Sequence, residues 1–147
     1  MNNKYPVGKY FQVSMRDIDL NGHVHNSVYL DYFEDAIVNQ LRENEILHLF
    51  RPKTSGVAYH VKRCEVVFIS ELSIDDIVKP HVYLNKIGNS SLEFEIHLHN
   101  ESTNASSAQG SIVWVCVSLE SGRPISVPEE TRKALMNGFE SVAKQEK

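Results

Sequence analysis

The apolar positions of this chain change their period once, and that change separates two kinds of element. From residue 27 to about residue 49 the period is helical. Tyr29, Phe33, Ile37 and Leu41 recur every four residues, and Leu30, Tyr32, Ala36 and Val38 fill the flanks. That spacing stacks side chains on one helical face, and the flanks widen the face until most of the circumference needs covering. Asn26 or Ser27 can cap the start, and Pro52 should stop anything beyond. After Gly56 the pattern is almost entirely β. Residues 58–70 and 77–87 are rich in Val, Ile and Tyr. The next run alternates cleanly, with Leu92, Phe94, Ile96 and Leu98 on one face and Glu93, Glu95, His97 and His99 on the other, which reads as an exposed polar face. Residues 111–119 form a near-continuous apolar strand, and the Ser/Asn/Thr cluster at 100–107 reads as a turn. A short strand is expected at 9–15, an irregular polar loop at 16–26, and a C-terminal helix opening at Pro128-Glu129-Glu130.

One helix precedes a series of strands and is not repeated between them, which argues against a doubly wound parallel fold. An antiparallel sheet wrapped around one long central helix satisfies the apolar helix, the long strands and the short turns together. The expected architecture is therefore a single α+β domain over residues 1–147. Its uncovered sheet edges imply that subunits pair as a homodimer or homotetramer.

Composition narrows the function more than the fold. Fifteen Lys and Arg against nineteen Asp and Glu leave a net charge of −4, with no basic stripe for nucleic acid. The longest apolar run, 112–117, is far too short to span a membrane. The N-terminal residues have no apolar signal region, so a cytoplasmic location is expected, and the N-x-S/T sequences at Asn89, Asn100 and Asn104 carry no weight there. Cys64 and Cys116 lie far apart in apolar stretches and are expected to be two buried thiols rather than a disulfide.

The densest chemistry is the stretch Arg16-Asp17-Ile18-Asp19-Leu20-Asn21-Gly22-His23-Val24-His25-Asn26, which ends at the predicted helix start. A helix N-terminus supplies unpaired N–H groups and partial positive charge, so a carbonyl placed there is polarised and its oxyanion stabilised. A carboxylate or imidazole a few residues earlier can attack that carbonyl or activate water. A hydrogen-bonded surface loop would use the same residue types, and spacing alone does not choose between the two.

Asp19-Leu20-Asn21-Gly22-His23-Val24-His25-Asn26, followed by Tyr29, resembles the signature of the hotdog-fold acyl thioesterases. It is close to the D-x-N-x-H-V-N-N-x-x-Y pattern of the acyl-carrier-protein enzymes, and similar to the 4-hydroxybenzoyl-CoA and Tol-Pal-associated acyl-CoA branches. The resemblance implies a hotdog domain that hydrolyses acyl thioesters of coenzyme A or an acyl-carrier protein, with the pantetheine part of the substrate and neither cofactor nor metal required. It implies Asp19 as nucleophile or base, Asn21 and His23 as its assistants, and the N–H near Asn26 as the oxyanion site. The chain has His25 where Asn is usual, and lacks the Pro-Ala-Gly that follows the Asp in the 4-hydroxybenzoyl-CoA branch. Hotdog domains also serve as acyl-CoA sensors without turnover and as enoyl-CoA hydratases, whose D-x-N-P-x-H motif has Pro where Gly22 stands.

The remaining candidates are weaker. Asp17 should lie on the same side as Asp19 in an extended chain and is assigned to a turn or cap. Tyr29 is a packing residue that could also touch substrate. His23 with His25, and His97 with His99, have ligand-like spacing but no third ligand to complete a zinc site. Lys62, Arg63, Lys86 and Arg123 are candidates for the phosphates of a CoA carrier.

Overall fold

A computed structural model describes residues 9–141 of the chain. The strands are β1 (Phe11–Gln12), β2 (Val57–Phe68), β3 (Ile77–Ile87), β4 (Ser91–Asn100), β5 (Ala105–Ser118) and β6 (Glu140–Ser141). The helices are α1 (Val28–Glu43), α2 (Pro52–Ser55) and α3 (Glu129–Gly138), with single 3-10 turns at Met15–Asp17 and Leu47–Phe50. The sheet order is β1-β3-β4-β5-β2, all antiparallel, and β6 adds a parallel pairing to β3. The sheet packs on α1, the arrangement that the alternating strands and the single apolar helix predict.

The core forms where α1 lies on the inner face of β4. Phe33, Ile37 and Leu41 are fully buried, as are Leu92, Phe94, Ile96 and Leu98 opposite them. Phe94 also packs its ring 5.3 Å from Trp114 and 5.5 Å from Phe139, which fastens the chain after α3 to the same core. Gly110 of β5 is the close approach between helix and sheet. A Cβ there would sit 2.0 Å from the Glu65 carbonyl oxygen and 2.5 Å from Phe33 Cε2.

Four expectations need correction. First, α1 stops at Glu43 rather than near Leu49. Glu45 takes the left-handed conformation at φ 60°, and the Ile46 N–H donates back to the Leu41 carbonyl at 3.0 Å. That closure is usually built on glycine, so the sequence carries no sign of it. Pro52 does not end a helix; it opens α2, where its missing N–H costs nothing. Second, β5 begins at Ala105, because pairing with both β4 and β2 holds its polar first residues in the ladder. Third, Cys64 is exposed and only Cys116 is buried. The reason is position: β2 is an edge strand, and most of its residues have no covering layer. Fourth, the outer face of β4 is half-buried rather than open. His97 lies 2.6 Å from Glu95 and packs on Tyr83, whose ring stacks on His81 at 4.4 Å.

Gly110→Ala should destabilise the chain by about 2 kcal/mol, since neither the Glu65 carbonyl nor the packed Phe33 ring can yield freely. A lowered urea midpoint with unchanged slope would register it; an unchanged midpoint would contradict the close approach.

Candidate active site

The loop before α1 is more ordered than its polar sequence suggests. The Asp19 N–H donates to the His23 carbonyl at 2.9 Å and the Gly22 N–H to the Asp19 carbonyl at 3.1 Å, closing a tight turn with Gly22 at φ 82°. Only glycine adopts that conformation without strain. Asp19 Oδ1 accepts the Asn21 N–H at 2.8 Å, an Asx turn that fixes the carboxylate on its own loop. The turn is then tied to the segment beyond the far end of β2: the Val24 N–H donates to the Leu72 carbonyl at 2.8 Å, and His23 bridges to Ser73.

His25 organises the start of α1. Its Nδ1 accepts the Ser27 N–H at 3.1 Å and lies 2.8 Å from Ser27 Oγ. The Val28 and Tyr29 N–H groups donate to the His25 and Asn26 carbonyls. His25 therefore performs the capping that the sequence assigned to Asn26 or Ser27, by the ordinary mechanism of a side chain taking an orphan donor. The Asn26 N–H itself donates to no group among the described residues.

These connections bring Asp19, Asn21, His23, Asn26 and Tyr29 to the lining of one cavity of about 330 Å³. Tyr29 is buried with its ring edge-on to Phe68 at 5.0 Å. Burial pushes its phenol up, so it stays protonated and serves as packing. The rest of the lining, Val24 aside, was not foreseen: Phe68, Ile69, Ser70 and Glu71, at and beyond the end of the long β2 strand, meet the loop only through its bonds to Leu72 and Ser73.

Asp17 is separated from Asp19 in place and in its partners. The 3-10 turn at Met15–Asp17 breaks the extended alternation, so Asp17 does not share the cavity as expected. Its Oδ2 accepts the Tyr32 hydroxyl at 2.9 Å, and its Oδ1 lies 3.8 Å from Arg16 Nε. Burial, then this hydrogen bond, push the Tyr32 phenol well above its ordinary value. Asp17 is a structural carboxylate, as assigned.

The candidate phosphate contacts Lys62, Arg63, Lys86 and Arg123 do not line this cavity. Lys86 follows an irregularity in β3 and lines a separate cavity of about 390 Å³ with Arg132, Met136 and Phe139. Arg132 also donates to the Gly88 and Asn89 carbonyls, holding the β3–β4 turn against α3. Arg123 is exposed in the turn after β5 and does not line the Asp19 cavity. Among the described residues no group of three or more His, Cys, Asp or Glu side chains is arranged to hold a metal ion. No helix among them is long and apolar enough to cross a membrane.

Residues 13–135 match the family model described as the thioesterase-like superfamily. The chain belongs to that superfamily. Its fold is the hotdog fold of the thioesterase structures it resembles. One of these is a thioesterase from Thermus thermophilus solved with coenzyme A and Zn, at 30% identity, TM-score 0.73, and coverage of 91% of this chain and 95% of that one. Another is YbaW, a probable thioesterase from Escherichia coli, at 18% identity, TM-score 0.79, and coverage of 92% and 100%. Among curated proteins, the acyl-CoA thioesterase YbgC of Haemophilus influenzae is 24% identical over 130 residues, 88% of this chain and 91% of that protein.

If His25 caps α1, His25→Ala should lower stability by about 1 kcal/mol. Thermal unfolding of the variant would detect the loss, and an unchanged transition would remove the capping role.

Proposed function

We propose that this protein hydrolyses acyl thioesters carried on coenzyme A or an acyl-carrier protein, with Asp19 as the reacting carboxylate. The observation that carries the reading is one pairing. Asp19 has one oxygen fixed by Asn21 and the other without a hydrogen-bond partner among the described residues, and it shares a cavity with Asn26, whose N–H is unpartnered among the described residues at the start of α1. A thioester carbonyl accepting that N–H is polarised by the helix terminus, and charge developing on its oxygen is stabilised where it forms. Asp19 then acts in one of two ways. Its free oxygen attacks the carbonyl carbon, the C–S bond breaks, and water cleaves the resulting anhydride. Alternatively, it takes a proton from the water that attacks. His23 and Asn21 orient that water, and the thiolate leaves with a proton from solvent or from His23.

The same reading includes a second subunit and a cytoplasmic location. β2 exposes Val61, Val67 and Phe68 along an edge with unpaired backbone groups, the feature that strand pairing removes. Phe68 and Ile69 also line the Asp19 cavity, so a partner covering that edge would close the site. Lys86, joined by Arg132, and the more distant Arg123 are the basic groups available to carrier phosphates.

The hydratase alternative is disfavoured by one angle. Gly22 has φ 82°, which proline cannot adopt, so this loop does not have the shape imposed by D-x-N-P-x-H. A non-catalytic acyl-CoA sensor differs only in turnover.

The deciding experiment is thiol release from a panel of acyl-CoAs and acyl-carrier proteins, with Asp19→Asn beside the wild type. We expect the variant to lose about 10²–10⁴-fold in kcat while retaining its fold. Equal rates would overturn the assignment, and binding without turnover in the wild type would replace it with the sensor. Separately, Val61→Lys with Val67→Lys should convert a wild-type dimer to monomer in sedimentation velocity; a monomeric wild type would refute the β2 interface.

A further inference from the structure

The Asp19 cavity contains a second carboxylate, and no Lys or Arg among the described residues lines it. Glu71 follows β2 and faces the cavity beside Phe68 and Ile69. It makes no hydrogen bond or ion pair among the described residues, so its side chain braces no element of the fold. Its charge is nevertheless felt inside: after the larger effect of burial, Glu71 helps to raise the Tyr29 phenol. Of the lining residues, His23 alone is able to carry positive charge.

We infer that Glu71 determines specificity by charge, excluding acyl groups with an ionised carboxylate near the thioester and admitting uncharged ones. The inference rests on the thioesterase reading and deepens it. A thioester whose carbonyl sits at the Asn26 N–H places the first part of its acyl group in a space of about 330 Å³. Glu71 is exposed at the cavity rim, and a charge confined there lies within about one Debye length of it, ~8 Å at physiological salt, so the two repel and added salt weakens the repulsion. An acyl carboxylate would meet two like charges, Asp19 and Glu71, with no Lys or Arg among the described lining residues to offset them. Like-charge juxtaposition of this kind is the usual means of rejecting a near-isosteric ligand. A neutral chain meets no such opposition and gains contact with Val24, Phe68 and Ile69. The carrier's phosphates, at the far end of the pantetheine arm, are outside this field.

Butyryl-CoA and succinyl-CoA test the inference, because they share a four-carbon acyl chain and differ by the terminal carboxylate. In Glu71→Gln, the ratio of kcat/KM for succinyl-CoA to that for butyryl-CoA should rise by about tenfold or more over wild type. Added salt should raise the ratio more in wild type than in the variant, which keeps only the Asp19 charge. A ratio that is unchanged in Glu71→Gln, or that responds equally to salt in both proteins, overturns the inference. Binding of the same two thioesters to Asp19→Asn, and to Asp19→Asn combined with Glu71→Gln, reads the discrimination without turnover. Dissociation constants that separate in the same sense support it, and constants that do not separate overturn it. Turnover retained by Asp19→Asn would instead defeat the Asp19 reading, whatever the Glu71 ratio.

Discussion

The covering of α1 by the sheet is the interaction on which the rest of the molecule depends. Phe33, Ile37 and Leu41 have no exposed surface, and they meet an inward row on β4 that is equally buried. Burying side chains of this size contributes about 1.5–3 kcal/mol each. Moving the helix by even part of a turn would therefore cost more than any single hydrogen bond in the loop before it. Gly110 sharpens the constraint, because its missing Cβ is what allows Phe33 to approach the β5–β2 ladder. The position of the helix N-terminus follows from the core, and the loop that carries Asp19 is suspended from that fixed point.

The suspension explains how two aspartates two residues apart come to differ. Asp17 lies in the 3-10 turn and is held by Tyr32 and Arg16, so its charge is committed to structure. Asp19 lies past that turn, where the Asx bond to Asn21 holds one oxygen and leaves the other without a hydrogen-bond partner among the described residues. The Asn26 N–H is likewise left over, since His25 captures Ser27 and the next two N–H groups find carbonyls. Sites that leave polar groups unsatisfied are where a fold departs from its own local rules, and function is the usual reason.

Much of this was legible along the chain. The period of four in α1 and the alternation in β4 are forced by geometry: a residue on the wrong face would expose an apolar side chain or bury an unpaired polar one. The polar loop ending at a helix start was legible for the same physical reason, because N-terminal donors and acidic or amide side chains belong together. Other features had no local sign. Glu45 occupies a left-handed position that glycine normally marks, and the half-buried outer face of β4 depends on Tyr83 and His81 of a neighbouring strand. The exposure of Cys64 follows only from the place of β2 at the edge of the sheet.

The sequence by itself determined the buried face of α1, the inward row of β4, and the loop that carries Asp19, Asn21, His23 and Asn26, because these depend on neighbours within a few residues. Tertiary structure alone decided what stands across the cavity from them. Phe68 and Glu71 reach the site because Val24 and His23 pair with Leu72 and Ser73, contacts between segments far apart in the chain. Such pairing is set by strand register and by the packing of both segments on one core, and neither segment's own pattern specifies its partner.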